Sequence, residues 1–251
     1  MPTFPRLLPF LLLLAGTLHA ADAGALLKDA LAAEAKFDSK TALEFFLKAD
    51  AARPNDPVIL QKIARQYSDL TFDLTDVAEQ KRYCEQALAY AKRSVALAPK
   101  DPVNVLSLGI CYAKLGFYSD TRTKIANSRL VKDYAEQALA LDPNYAYAHH
   151  VLGQWNYEVA TLGFATRFIV KLVYGGLPEA STAEGVKHLR RAVELSPELP
   201  AHHVELGLAL LADDQRDAAR KELEHALTMP KREKYDEESW RRAREALEKL
   251  K

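Results

Sequence analysis

Four prolines divide this chain into units of related sequence. Pro54, Pro99, Pro143 and Pro197 each close a similar segment: Ala49-Asp50-Ala51-Ala52-Arg53-Pro54, Ser94-Val95-Ala96-Leu97-Ala98-Pro99, Ala138-Leu139-Ala140-Leu141-Asp142-Pro143 and Ala192-Val193-Glu194-Leu195-Ser196-Pro197. A weaker fifth copy is Ala226-Leu227-Thr228-Met229-Pro230. Ten residues after each of the first four prolines stands a small residue in an apolar-periodic stretch: Ala64, Gly109, Gly153 and Gly207. The surroundings also agree, as Ile63-Ala64-x-x-Tyr67, Leu108-Gly109-x-x-Tyr112, Leu152-Gly153 and Leu206-Gly207. An offset held constant four times marks a tandem array, in which each unit buries its apolar face against the next.

The small residue lets a second helix approach the first, and the second helix has a spacing of its own. Ala42-x3-Phe46-x2-Ala49 and Ala219-x3-Leu223-x2-Ala226 follow small-x3-large-x2-small. This is the tetratricopeptide pattern, and it predicts an all-α solenoid of helical hairpins. The closing proline is expected to open the next helix, where its missing N–H costs nothing. Five repeats follow, at 24–56, 57–101, 102–145, 146–199 and 200–232, with a capping helix over 235–250 whose apolar stripe is Trp240, Ala243, Leu247 and Leu250. From small residue to closing proline the first repeat takes 24 residues and the last 23, whereas the middle three take 35, 34 and 44. With the proline-to-small offset fixed, the surplus lies between the two helices of its own repeat. It should therefore build a second structure along one edge of the stack, often the working side.

Residues 1–23 are unlike the rest. One charge, Arg6, precedes an apolar run from Leu7 to Leu18, and then come Ala20, Ala21 and Ala23. The run is too short to span a bilayer as a helix, and this order describes a secretory signal cleaved after Ala20 or Ala23. The remaining chain, 24–251, is expected to be exported, with an uncleaved anchor as the alternative. Its 33 basic and 33 acidic side chains cancel, so no whole-protein field draws in nucleic acid. Cys84 and Cys111 lie in helical, apolar-periodic sequence, where two small buried residues are expected, although a disulfide is permitted in such a compartment.

The stretch from about Ala87 to Pro230 resembles the regulator of microtubule dynamics family. The most specific part is Lys124-Ile125-Ala126-Asn127 ahead of the third repeat's second helix, then Ala138 to Pro143, then Leu152-Gly153-Gln154-Trp155-Asn156-Tyr157. The segment Lys124, Ile125, Ala126, Asn127 lies outside the general repeat pattern and has no assigned role. The resemblance implies tetratricopeptide proteins associated with microtubules or organelle contact sites, and in one member a domain that binds and moves phospholipid. An exported chain would not meet microtubules, so the resemblance carries over the fold and the ligand class.

Nothing in the sequence points to catalysis or to a cofactor. There is no phosphate loop, nucleophile elbow or zinc signature, and Gly175-Gly176 before Pro178 is helix-stop chemistry. The pairs His149-His150 and His202-His203 point their rings about 100° apart on a helix. That suits packing better than zinc, which needs three or four convergent ligands. No catalytic residue, metal or enzyme activity is expected.

The first helix of each hairpin should line the inner face. That places Val103, Leu106, Ile110 and Ala113 there from repeat three, and Ala201, Val204, Leu208 and Leu211 from repeat five. Repeat four adds Tyr147, His150, Gln154 and Tyr157, and repeat two adds Gln61, Arg65 and Asp69. Such an aliphatic face must be covered by the protein itself or by a ligand. In the 162–182 insertion, Phe164, Phe168, Ile169, Leu172 and Val173 share one helical face beside Arg167 and Lys171. It is expected to pack as core, to close the groove as a gate, or to touch a membrane interface peripherally. The sequence thus indicates a non-catalytic scaffold binding a protein or peptide partner by its concave groove or inserted edge. The alternative is a phospholipid or fatty acid in an aliphatic groove gated by 162–182.

Overall fold

Aspartate fixes where five of the helices begin. In the computed structural model, which describes residues 23–250, the side chains of Asp38, Asp56, Asp76, Asp101 and Asp120 each accept from backbone N–H groups two or three residues on, satisfying donors that a helix start leaves unpaired. Among the described residues there are twelve helices and no strand. They are α1 (23–34), α2 (Ser39–Ala52), α3 (Pro57–Leu70), α4 (Val77–Leu97), α5 (Pro102–Gly116) and α6 (Thr121–Leu141). The second half contains α7 (Ala146–Ala160), α8 (Phe164–Tyr174), α9 (Thr182–Leu195), α10 (Pro200–Ala212), α11 (Arg216–Thr228) and α12 (Asp236–Glu248). The signal segment expected over 1–23 lies, apart from Ala23, outside the described residues.

The helices pair as the repeats require. α3 packs on α4, α5 on α6, α7 on α9 and α10 on α11, and each pair then stacks on the next. Ala30, Ala33, Ala42 and Phe46 join α1 to α2. The small residues set the closeness of these pairs. A Cβ on Gly153 or on Gly207 would stand 2.6 Å from the Cγ of Leu189 or Leu223. On the second helices Ala42, Phe46 and Ala49 are fully buried, as are Ala219, Leu223 and Ala226.

One expectation about proline is corrected. Pro54, Pro99, Pro143 and Pro197 sit in the turns rather than at helix starts. A second proline three residues on, Pro57, Pro102 or Pro200, takes the first helical position. The turn needs an intervening residue in extended conformation to cap the helix, so the closing proline cannot itself be the first helical residue. The carbonyls of Pro143 and Pro197 have equivalent partners, Nε2 of His149 and His203, each at 3.0 Å.

The surplus residues take two forms. In repeats two and three they lengthen the second helix, so α4 and α6 have 21 residues against 14 in α2, about two extra turns. Lys124–Asn127 belongs to the extended start of α6. Ile125 and Asn127 are buried, with the Asn127 amide 3.3 Å from the Tyr112 carbonyl, while Lys124 and Ala126 face outward. Only in repeat four does the surplus form a separate element, α8. Cys84 and Cys111 are buried free thiols, and burial pushes the Cys111 thiol up to about 12.

The array ends at α12, which packs on α10 and α11. Ala243, Ala246 and Leu250 bury against Val204 and Leu223, and the Trp240 indole donates to the Ala226 carbonyl at 2.8 Å.

Candidate functional site

The inner face is crossed by the chain's own C-terminal linker. Residues 229–235 join α11 to α12 and return to the first half of the protein. Glu233 accepts from the Arg65 guanidinium of α3 at 3.0 Å and from the Tyr147 hydroxyl of α7 at 2.6 Å. Lys234 pairs with Asp73 just beyond α3 at 2.7 Å. The Lys231 ammonium lies 5.1 Å from the centre of the Phe37 ring, and the Phe72 and Tyr235 rings meet at 5.7 Å. Asp236 steadies this path by accepting from the N–H groups of Arg232 and Glu233 at 2.7 and 2.8 Å. Repeats one, two and four are thus bridged by one short segment, and the middle of the groove is filled from within.

A second brace lies behind it. Glu205 of α10 is fully buried and pairs with Arg242 of α12. The Tyr157 hydroxyl donates to Glu205 at 2.6 Å, and Arg242 also reaches the hydroxyls of Tyr157 and Tyr235, each at 3.1 Å. Burial, with the Glu205 carboxylate beside it, drives the Tyr157 hydroxyl well above its ordinary range. Burial takes Tyr235 to about 12. Beside this brace His150 and His202 share a ring-nitrogen contact of 2.9 Å. Burial first, then the neighbouring His150, pushes His202 down to about 2. These rings are neutral packing elements, and among the described residues no cluster of metal-ligating side chains forms.

Two recesses flank these braces. One, of about 510 Å³, lies between α1, α3 and the linker, with Glu34, Arg65, Asp69 and Arg232 on its walls. The other, of about 480 Å³, lies between α7, α10 and α12. Its floor is Leu208, Leu211, Ala246 and Leu250, and Arg216, Arg242 and Lys249 stand around it with Glu158 and Glu245. Arg216 and Lys249 pair with no carboxylate among the described residues.

The residues expected on the inner face divide three ways. Tyr157, Leu208 and Leu211 meet at the second recess. Leu106 and Ile110 pack instead with Tyr145, Tyr147 and Leu152, and Val204 is buried under α12. Val103 is exposed, and the Gln154 amide donates to Glu158 at 3.0 Å. Arg216, Arg242 and Lys249 were missed, because they lie on the last second helix, on the terminal helix and just beyond its end, which the inner-face rule passes over.

The 162–182 insertion does not close the groove. α8 leans on α6 and adds no residue to either recess. It is not ordinary core either. Val170 alone is buried, while Phe164, Arg167, Phe168, Ile169, Lys171, Leu172 and Val173 are exposed. The deciding factor is the anchor, in which Arg129 of α6 holds the carbonyls of Tyr174 and Gly176 and so fixes the outer end of the helix.

The chain matches the family described as Regulator of microtubule dynamics protein 1-3 over residues 27–251. It belongs to that family. Regulator of microtubule dynamics protein 1 of Mus musculus is 29% identical over 143 residues, 57% of this chain and 47% of the relative. Regulator of microtubule dynamics protein 2 of Homo sapiens is 22% identical over 191 residues, 76% of this chain and 47% of the relative. The chain thus spans about half the length of these curated relatives. Among solved structures, a thermophilic TPR protein of Thermus thermophilus superposes with a TM-score of 0.65 at 20% identity, covering 90% of this chain and 98% of that one. Pseudomonas aeruginosa pilF does so at 0.53 with 11% identity, covering 92% and 93%. At such identities the likeness concerns the fold, and it establishes the tetratricopeptide architecture within this family.

Proposed function

We propose that this family member is a non-catalytic scaffold that holds a segment of a protein partner in the recess between α7, α10 and α12. The observation that carries the proposal is the pairing there of a half-buried aliphatic floor, Leu208 and Leu211, with Arg216 and Lys249, two cations that pair with no carboxylate among the described residues. A segment with one or two apolar side chains beside a carboxylate complements both. Apolar contact would supply affinity and the cations orientation.

A photo-crosslinking residue at Leu211, activated in producing cells, tests this directly. A discrete protein adduct that disappears on Arg216→Glu supports the scaffold. Failure to find one, with phospholipid or fatty acid co-purifying near one-to-one in native mass spectrometry, supports the second reading. That reading is favoured by the same aliphatic floor under a cationic rim, which suits an acyl chain with an anionic head. A protein that is bare in both experiments refutes both. The export signal over 1–23 is part of the proposal: the N-terminus of the purified protein should follow Ala20 or Ala23, and a start at Met1 would favour the anchored form.

A further inference from the structure

We propose that α8 docks the protein on the surface of an anionic lipid bilayer. The helix carries five large apolar side chains that the fold leaves in solvent. Phe164 is 86% exposed, Leu172 is 73% exposed, and Phe168, Ile169 and Val173 are each more than half exposed. At about 100° per residue these five cover one continuous half of the helix circumference. Val170, the buried residue, lies on the opposite side and meets the body. Arg167 and Lys171 fall between the body-facing side and the apolar half, at the height where long basic side chains reach lipid head groups.

Charge selects the occupant. From residue 159 to residue 178 the chain has no Asp or Glu, and its two charges are Arg167 and Lys171, although the protein as a whole is balanced. Local positive charge beside an apolar face is the signature of a helix lying in the plane of an anionic membrane interface. An eleven-residue helix is far too short to span a bilayer, and no described helix is long and apolar enough to do so. A second copy is a poorer occupant. The exposed half is a strip about 16 Å by 10 Å, well short of the roughly 800 Å² per partner of a stable interface. Pairing two such helices would also gather four cations with no carboxylate.

The helix is held in a fixed attitude for this role. Gly175 ends it in the left-handed region at φ 78°, and the Gly176 N–H returns to the Val170 carbonyl at 3.1 Å. Arg129 holds the carbonyls at this end. One insertion therefore presents the helix that the neighbouring insertion, the extended α6, anchors.

Co-sedimentation of the purified protein with vesicles tests the proposal. Vesicles of equal parts phosphatidylglycerol and phosphatidylcholine should bind it at least ten-fold better than phosphatidylcholine alone, with the preference shrinking in high salt. Phe168→Asp with Leu172→Asp, both at exposed sites, should weaken binding at least ten-fold while leaving circular dichroism and Tm unchanged. Arg167→Glu with Lys171→Glu should remove the anionic preference. Absence of binding, or equal binding by the Asp pair, overturns the proposal. So does a dimer in sedimentation velocity that the Asp pair dissolves without any lipid binding, which would assign the face to a second copy.

Discussion

Arg65 and Glu233 meet at 3.0 Å although 168 residues separate them. The contact joins the second repeat to the linker that follows the fifth, so one ion pair closes the solenoid on itself. Tyr147 donates to the same carboxylate at 2.6 Å. Curvature in such arrays accumulates from small rotations between neighbours, and a brace between distant repeats limits how far they can open.

Glu233→Gln weakens that brace without changing its shape. The pair is partly exposed, with Arg65 36% and Glu233 24% accessible at the side chain, so the expected loss is only about 1 kcal/mol. Amide exchange over 231–235 should rise, and X-ray scattering should show a larger radius of gyration. Unchanged exchange would mean that the linker is held by its other contacts.

Gly207→Ala forces a methyl group against Leu223 at 2.6 Å. Gly109→Ala meets the Tyr134 Cβ at 3.0 Å, a milder clash. Overpacking of this kind costs about 1–3 kcal/mol, so urea midpoints should fall further for Gly207→Ala than for Gly109→Ala. The reverse order would show that the α10–α11 contact relaxes easily.

Arg242→Ala leaves the fully buried Glu205 without its cation. Removing one partner of a buried pair costs about 3–5 kcal/mol, measurable by chemical denaturation. Arg242→Met combined with Glu205→Met should recover part of the loss, since the uncompensated charge is then gone. If the double variant is as unstable as the single one, the hydrogen bonds to Tyr157 and Tyr235 are the larger contribution.

His150 and His202 set a pH dependence. Burial holds both below the ordinary value of 6.5, His202 at about 2. The unfolded chain then takes up protons that the folded one refuses, so stability falls as pH drops below about 6.5 and continues to fall toward 2. His203 contributes with the opposite sign: burial disfavours its charge, but Glu222 at 2.8 Å and the Pro197 carbonyl outweigh burial and raise it. Its contribution is present below 6.5 and is lost as pH rises through the folded value. Urea midpoints at pH 7.5 and 5.0 should show the net fall. His202→Asn should reduce the fall and Glu222→Gln should steepen it.

The repeat register could be read from the residues because its causes are local. Gly109, Gly153 and Gly207 lie beneath neighbouring second helices, as their spacing requires, and Ala42, Phe46 and Ala49 show the same burial on the other helix. The inner face was harder to read. Spacing from the small residue indicates which side of a helix turns inward, and it brought Tyr157, Leu208 and Leu211 to the recess. It does not indicate what covers that side, so Leu106 and Val204 proved to be packed interior.

The sequence alone determined the all-helical hairpin solenoid, because capping residues and small-residue contacts act over a few positions. Tertiary structure alone decided the path of the 229–235 linker and the partnership of Arg242 with Glu205. Those contacts depend on curvature summed over the whole array, which no short pattern encodes. It also decided the exposure of α8. A stripe of apolar residues at helical spacing suits core, gate or interface equally, and the side that faces outward was fixed by where Arg129 ties the helix down.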